Sequence, residues 1–87
     1  MMTARLNKSE ILERLRKLVS ERTDVDVREM SLAASLADLG IDSFTLIEIV
    51  FAAEEEFGVS IKLDDVRIER VQDVVQAIED KLAPAGA

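Results

Sequence analysis

The chain has no cysteine, no histidine, no tryptophan and no tyrosine. Without cysteine there is no disulfide, no thiolate zinc site and no protein thiol to act as a nucleophile. Without histidine, no imidazole can activate a serine in a Ser-His arrangement. Aromatic residues make up 3% of the chain, as three phenylalanines, and there are three glycines and one proline. No apolar run approaches the ~18 residues of a membrane span. Arg5 and Lys8 near the N-terminus are not followed by the apolar stretch of a signal peptide. Stable membrane insertion is therefore not expected, and a cytoplasmic location is.

What is present is aliphatic and acidic. Hydrophobic residues make up 48% of 87 residues, mostly Val, Ile, Leu and Ala. A chain of this size forms one domain and buries roughly 60–65% of its unfolded surface, so the core is small. A single domain over 1–87 with a frayed tail at about 83–87 after Pro84 is expected. The net charge of −7 is segregated. Residues 36–66 hold Asp38, Asp42, Glu48, Glu54, Glu55, Glu56, Asp64 and Asp65 against Lys62 alone, and the other acids and bases cancel. Such a field repels nucleic acid and anionic lipid and attracts basic protein surfaces.

The apolar spacing is helical. Asn7 stands as an N-cap with Glu10 in capping-box position, and Leu6 and Ile11 form a staple. Ile11, Leu15, Leu18 and Val19 then give one apolar face ending near residues 20–22. Residues 23–42 lack a long periodic pattern, and a connection of that length is usually functional. Met30, Leu32, Leu36, Leu39 and Ile41 are placed to anchor it, with a turn near Ser35–Leu39. Asp24-Val25-Asp26 lacks the glycine and further ligands of an EF-hand.

A second helix is predicted from Ser43 to Phe57, stopped by Gly58. Leu46, Ile49, Val50, Ala53 and Phe57 form its core stripe; Phe44, Ile47 and Phe51 form a second stripe flanked by acids, which argues for a surface position. A short helical turn around Asp64–Ile68 follows. Val71, Val74, Val75, Ile78 and Leu82 define the last helix. With no strand pairs and no repeats, the fold class is all-α.

Gly40-Ile41-Asp42-Ser43-Phe44 is the most informative stretch. Asp42 is a good N-cap, which puts Ser43 in the first turn of the second helix. A phosphate ester there meets free backbone N–H groups and the positive end of the helix dipole. Gly40 permits a sharp turn and leaves the serine open. The same Asp-Ser pair also serves as a plain helix cap in many proteins. If Ser43 carries chemistry, the lack of a base makes it a substrate for modification and not a catalyst.

Leu36-Ala37-Asp38-Leu39-Gly40-Ile41-Asp42-Ser43-Phe44, followed by Glu48-Ile49-Val50 and Glu54-Glu55-Glu56-Phe57, closely resembles the acyl carrier proteins. The likeness continues through Ile61, Asp64-Asp65, Ile68 and Val71-Gln72-Asp73-Val74, and covers about residues 6–82. The resemblance implies a four-helix bundle with a short third helix and a long loop between helices one and two. It implies that Ser43, supported by Asp42, is esterified by 4′-phosphopantetheine from coenzyme A. A holo-acyl-carrier-protein synthase or other phosphopantetheinyl transferase does this with Mg²⁺, and the chain itself holds no metal and is not an enzyme. The arm brings the thiol that the polypeptide lacks and carries acyl groups as thioesters, in fatty acid or related lipid biosynthesis. Phe44, Ile47, Glu48, Phe51, Glu54 and Glu55 are then the surface that meets basic acyl synthases, transferases or ligases. Leu46, Val50, Ile61, Ile68 and Val75 would line a seam able to cover the acyl chain. A free-standing monomer is expected.

The sequence departs from the common fatty-acid pattern. Phe44 replaces the usual leucine, Thr45 a frequent acid and Lys62 a frequent proline, while Arg67 and Arg70 add positive charge. These changes leave the attachment motif intact and point to a second possibility, a dedicated carrier for polyketide, specialised lipid or aminoacyl groups. An unmodified acidic helical adaptor is the reading from another class.

Overall fold

The computed structural model describes residues 6–65 and 67–82. Three α-helices dominate it: α1 (Lys8–Arg22), α2 (Ser43–Phe57) and α3 (Val71–Leu82). Short 3₁₀ turns cover Val27–Glu29 and Leu63–Asp65. The all-α expectation holds among the described residues. The expected tail at about 83–87 and the Pro84 stop lie outside them.

Each long helix starts where local capping chemistry dictates. Asn7 Oδ1 accepts the Glu10 N–H at 2.8 Å, and Glu10 Oε1 accepts the Asn7 N–H at 3.0 Å, a closed capping box. At the far end the Thr23 N–H and hydroxyl both donate to the Val19 carbonyl. Asp42 caps α2. Gly58, at φ +68° in the left-handed region, ends it, with the Gly58 and Val59 N–H groups both donating to the Glu54 carbonyl. At α3 the cap is reversed: the Asp73 carboxylate reaches back to the N–H groups of Glu69 (2.9 Å) and Arg70 (3.0 Å).

The core is aliphatic, as the composition demands. Ile11, Leu15 and Val19 from α1 meet Ile49, Val50 and Ala53 from α2 and Val71, Val74, Val75 and Ile78 from α3. Met30, Leu36 and Ile41 are buried too, so the α1–α2 connection is fastened by the side chains that its sequence offers, while Leu32 and Leu39 are half-buried. Arg16 adds a polar fastening: its Nε donates to the Met30 carbonyl at 3.0 Å.

Two features differ from the sequence expectation. Among the described residues between α2 and α3 the helical part is a 3₁₀ turn at Leu63–Asp65, and Arg67–Glu69 is not helical. The reason lies in the backbone accounting. Groups that would extend a helix through residues 69–71 are drawn to the α1–α2 loop instead: the Leu36 N–H donates to the Glu69 carbonyl and the Val71 N–H to the Ala34 carbonyl, both at 3.0 Å. The second difference follows from the first. Ser35 and Arg70 form an isolated antiparallel β-bridge, although no strand pairing was expected. Arg70 strengthens it by donating from Nη1 to the Ala33 carbonyl at 2.7 Å.

Candidate functional site

The turn that presents Ser43 is built by the buried pair Leu36 and Ile41. The Ile41 N–H donates to the Leu36 carbonyl at 3.0 Å, the Leu39 N–H to the Ser35 and Leu36 carbonyls at 3.1 Å, and the Gly40 N–H to the Ala37 carbonyl at 3.0 Å. Gly40 adopts φ +83°, and a Cβ there would meet nothing within 4 Å. Its glycine is needed for the backbone angle and not for space.

Asp42 follows in extended conformation, and its Oδ1 accepts the Thr45 N–H at 2.8 Å. The Thr45 backbone N–H, and then the Thr45 side chain, hold this carboxyl below its ordinary range. The Leu46 N–H is taken by the Asp42 carbonyl at 2.9 Å. The Ser43 and Phe44 N–H groups at the helix start are thus left without a partner among the described residues. Ser43 itself is exposed, and Asp42 spends its carboxylate on Thr45 and not on the serine. Ser43 is therefore an open hydroxyl on a rigid first turn, beside two unused N–H donors and the positive end of the helix dipole. This setting fits a phosphodiester-linked prosthetic arm.

The second stripe of α2 lies on the surface. Phe44 is 69% exposed, Phe51 63% and Ile47 39%, against 1% for Val50 on the core side. Glu48 and Glu55 are exposed beside them. Glu54 is different: it is half-buried, and its Oε2 accepts the Ile61 N–H at 2.8 Å. Glu56 reaches across to Arg14 of α1 at 3.7 Å. The sequence reading missed this side of α2. Arg14, Lys17 and Arg22 of α1, with Glu21 among them, line a groove with Glu55 and Glu56 of α2, and Leu18 and Ala52 complete its lining. The α1 cations therefore temper the acidic field at the C-terminal end of α2 and leave Glu48 in the more purely acidic part. The signal for it in the sequence is the basic spacing of Arg14, Lys17 and Arg22.

Of the five residues expected along the seam, Val50, Ile61 and Val75 are buried, and Leu46 and Ile68 are half-buried against the same core. The structure brings them into one apolar cluster. Among the described residues no group of three potential ligands is arranged to hold a metal ion, and no helix is long and apolar enough to cross a membrane.

Comparison with known proteins is consistent with this geometry. The family model for the phosphopantetheine attachment site matches residues 13–78. The acyl carrier protein of Thermosynechococcus vestitus is 40% identical over 80 residues, covering 90% of this chain and 99% of the relative. That of Caulobacter vibrioides is 44% identical over 77 residues, covering 86% and 99%. That of Thermotoga maritima is 38% identical over 80 residues, covering 87% and 96%. With family match and relatives alike spanning most of the chain, the protein belongs to the acyl carrier protein family, whose members bear a covalent 4′-phosphopantetheine group.

Proposed function

We propose that Ser43 is the residue that receives the 4′-phosphopantetheine arm, with Asp42 holding the helix start in place. As an acyl carrier protein the chain carries acyl groups and is not an enzyme. The arm supplies a thiol, on which acyl groups ride as thioesters. The observation that carries the assignment is the open Ser43 hydroxyl on the first turn of α2, with Asp42 engaged elsewhere. In this reading the Leu63–Asp65 turn stands in the place of the short third helix of a four-helix carrier bundle. The protein works in the cytoplasm with a phosphopantetheinyl transferase and with basic-surfaced acyl-processing enzymes. Those partners meet Phe44, Ile47 and Phe51 ringed by Glu48 and Glu55, and Glu54 sits at the edge of this face. The seam of Leu46, Val50, Ile61, Ile68 and Val75 offers the acyl chain apolar cover.

Fatty acid or related lipid synthesis is the pathway this reading favours. A dedicated carrier for polyketide, specialised lipid or aminoacyl groups is supported by one feature, the broadly exposed Phe44 ring directly beside the attachment serine. A partner shaped for a smaller aliphatic residue there would meet this ring first. Of the other departures, Arg70 is turned onto the Ala33 carbonyl and contributes to the fold.

Incubation with coenzyme A and a carrier-protein synthase tests the assignment. The wild type gains the arm by mass and Ser43→Ala does not. Labelling of the alanine variant, or no labelling of the wild type by several transferases, overturns it.

A further inference from the structure

We infer that Glu54 is a positioning residue for the acyl seam and not one of the docking charges, because its carboxylate fixes the backbone of Ile61. The inference deepens the carrier reading above and rests on it for the role of the seam. Three observations carry it.

First, Glu54 is the carboxylate of the expected docking set that is turned inward. It is half-buried, whereas Glu48 and Glu55 are exposed. Second, its Oε2 accepts the Ile61 N–H at 2.8 Å across seven residues of chain. A hydrogen bond to a charged acceptor is stronger than one between neutral groups, and the donor here has no helix or strand neighbour to take it over. Third, the Glu54 carbonyl accepts from both Gly58 and Val59. One residue therefore holds the exit of α2 by its main chain and the return of the chain by its side chain. The Ile61 side chain is 8% exposed and belongs to the same buried core as Val50 and Val75. Where Ile61 sits sets one wall of the seam, and Glu54 sets where Ile61 sits.

Carboxylate charge and acceptor geometry can be separated. Glu54→Gln removes the charge and keeps a carbonyl oxygen able to accept the Ile61 N–H; Glu54→Ala removes both. Amide hydrogen exchange of Ile61 in the unmodified protein reads the clasp directly and needs no cargo. Glu54→Ala is expected to speed that exchange by roughly tenfold, equivalent to about 1.4 kcal/mol of local protection, and Glu54→Gln to restore most of it. Association with a carrier-protein synthase, followed against salt, reads docking. Glu54→Gln is expected to keep the wild-type salt dependence, while Glu48→Gln weakens it. With an octanoyl chain on the arm, Glu54→Ala is expected to lose more of the acyl-dependent rise in Tm than Glu54→Gln.

Unchanged Ile61 exchange in Glu54→Ala, no rescue by Glu54→Gln, or a loss of salt dependence in Glu54→Gln equal to that of Glu48→Gln overturns the inference. If the exchange results come out as expected but the octanoyl chain raises Tm in no variant, the seam reading fails and the Glu54–Ile61 clasp stands.

Discussion

Ser35 and Arg70 pair as an antiparallel bridge between the long α1–α2 connection and the entrance of α3. Around it the Leu36 N–H reaches the Glu69 carbonyl, the Val71 N–H the Ala34 carbonyl and the Gln72 N–H the Leu32 carbonyl. The connection that presents Ser43 is thus laced by its backbone to α3, as well as pinned by its apolar side chains. A long loop held at both levels keeps the start of α2 in a fixed place.

Docking is expected to depend on charge for its rate and on rings for its lifetime. Glu48→Lys should slow association with a basic partner on the order of tenfold at low salt, and added salt should slow the wild type likewise. Phe51→Ala should instead speed dissociation, by roughly tenfold if the ring fills a pocket worth about 1.4 kcal/mol. Stopped-flow binding to a carrier-protein synthase separates the two. Rates indifferent to both substitutions would place the docking face elsewhere.

Acid should loosen the entrance of α3 through Asp73. Its carboxyl is held below the ordinary range by the Glu69 N–H, then by the Arg70 N–H. A pKa lowered on folding stabilises the fold above the unfolded value of about 3.9, and that stability is lost as pH falls through the lowered folded value. The gap in Tm between wild type and Asp73→Ala should therefore be constant above about pH 5 and close as the pH drops below about 4. A gap that widens with acid would contradict this cap.

Crowded acids should make the protein salt-sensitive. Glu54, Glu55 and Glu56 are consecutive, and the segment 36–66 holds the whole net charge. Screening by NaCl, or by Mg²⁺ at lower concentration, should raise Tm. A flat response would show that the α1 cations facing Glu55 and Glu56 already neutralise the repulsion.

Gly40→Ala should destabilise by about 1–2 kcal/mol, because a Cβ at φ +83° is strained even in open space. Gly40→Asn should cost less, since asparagine tolerates that region better. Urea denaturation measures both, and equal stability of Gly40→Ala and wild type would mean that the turn relaxes.

An octanoyl chain on the arm should raise Tm if it finds the seam, at about 0.8 kcal/mol per buried CH₂. Methyl signals of Leu46, Val50, Ile61, Ile68 and Val75 should shift. Val50→Phe, which overfills a site now 1% exposed, should reduce the acyl-dependent gain more than it harms the apo protein. Equal stability with and without the chain, and no shifts, would mean that the chain stays in solvent.

The parts of this fold that were legible in the sequence are those written in neighbouring residues. Asn7 with Glu10, Asp42 before Ser43, and Gly58 after Phe57 each act within one turn, so the bounds of α1 and α2 could be read directly. The exposed stripe of Phe44, Ile47 and Phe51 was legible because period and flanking charge agree. What could not be read depends on residues far apart. Nothing local in the sequence marks Arg16 out, and its Nε donates to a loop carbonyl at Met30. Arg70 looked like a surface charge and is a tie to Ala33. Glu54 sat in a run of three identical acids, and only the return of the chain at Ile61 distinguishes it. The turn at Val27–Glu29 was missed because it is three residues long, although Asp26 caps it by accepting the Arg28 N–H.

Ser43 and Phe51 belong to the same rigid helix, eight residues or about 12 Å apart at 1.5 Å per residue. With the arm on Ser43 as proposed, any enzyme that grips the exposed face of α2 also fixes the origin of the tether. The thiol then explores a volume centred at one point on the enzyme surface, and its effective concentration at an active site is set by the distance from that point to the catalytic residues. Cargo that stays in solvent is delivered at that same local concentration, whereas cargo covered by the seam must first leave it. An enzyme thus chooses among carriers by how it holds α2, and among cargoes by what the seam releases and the active site accepts.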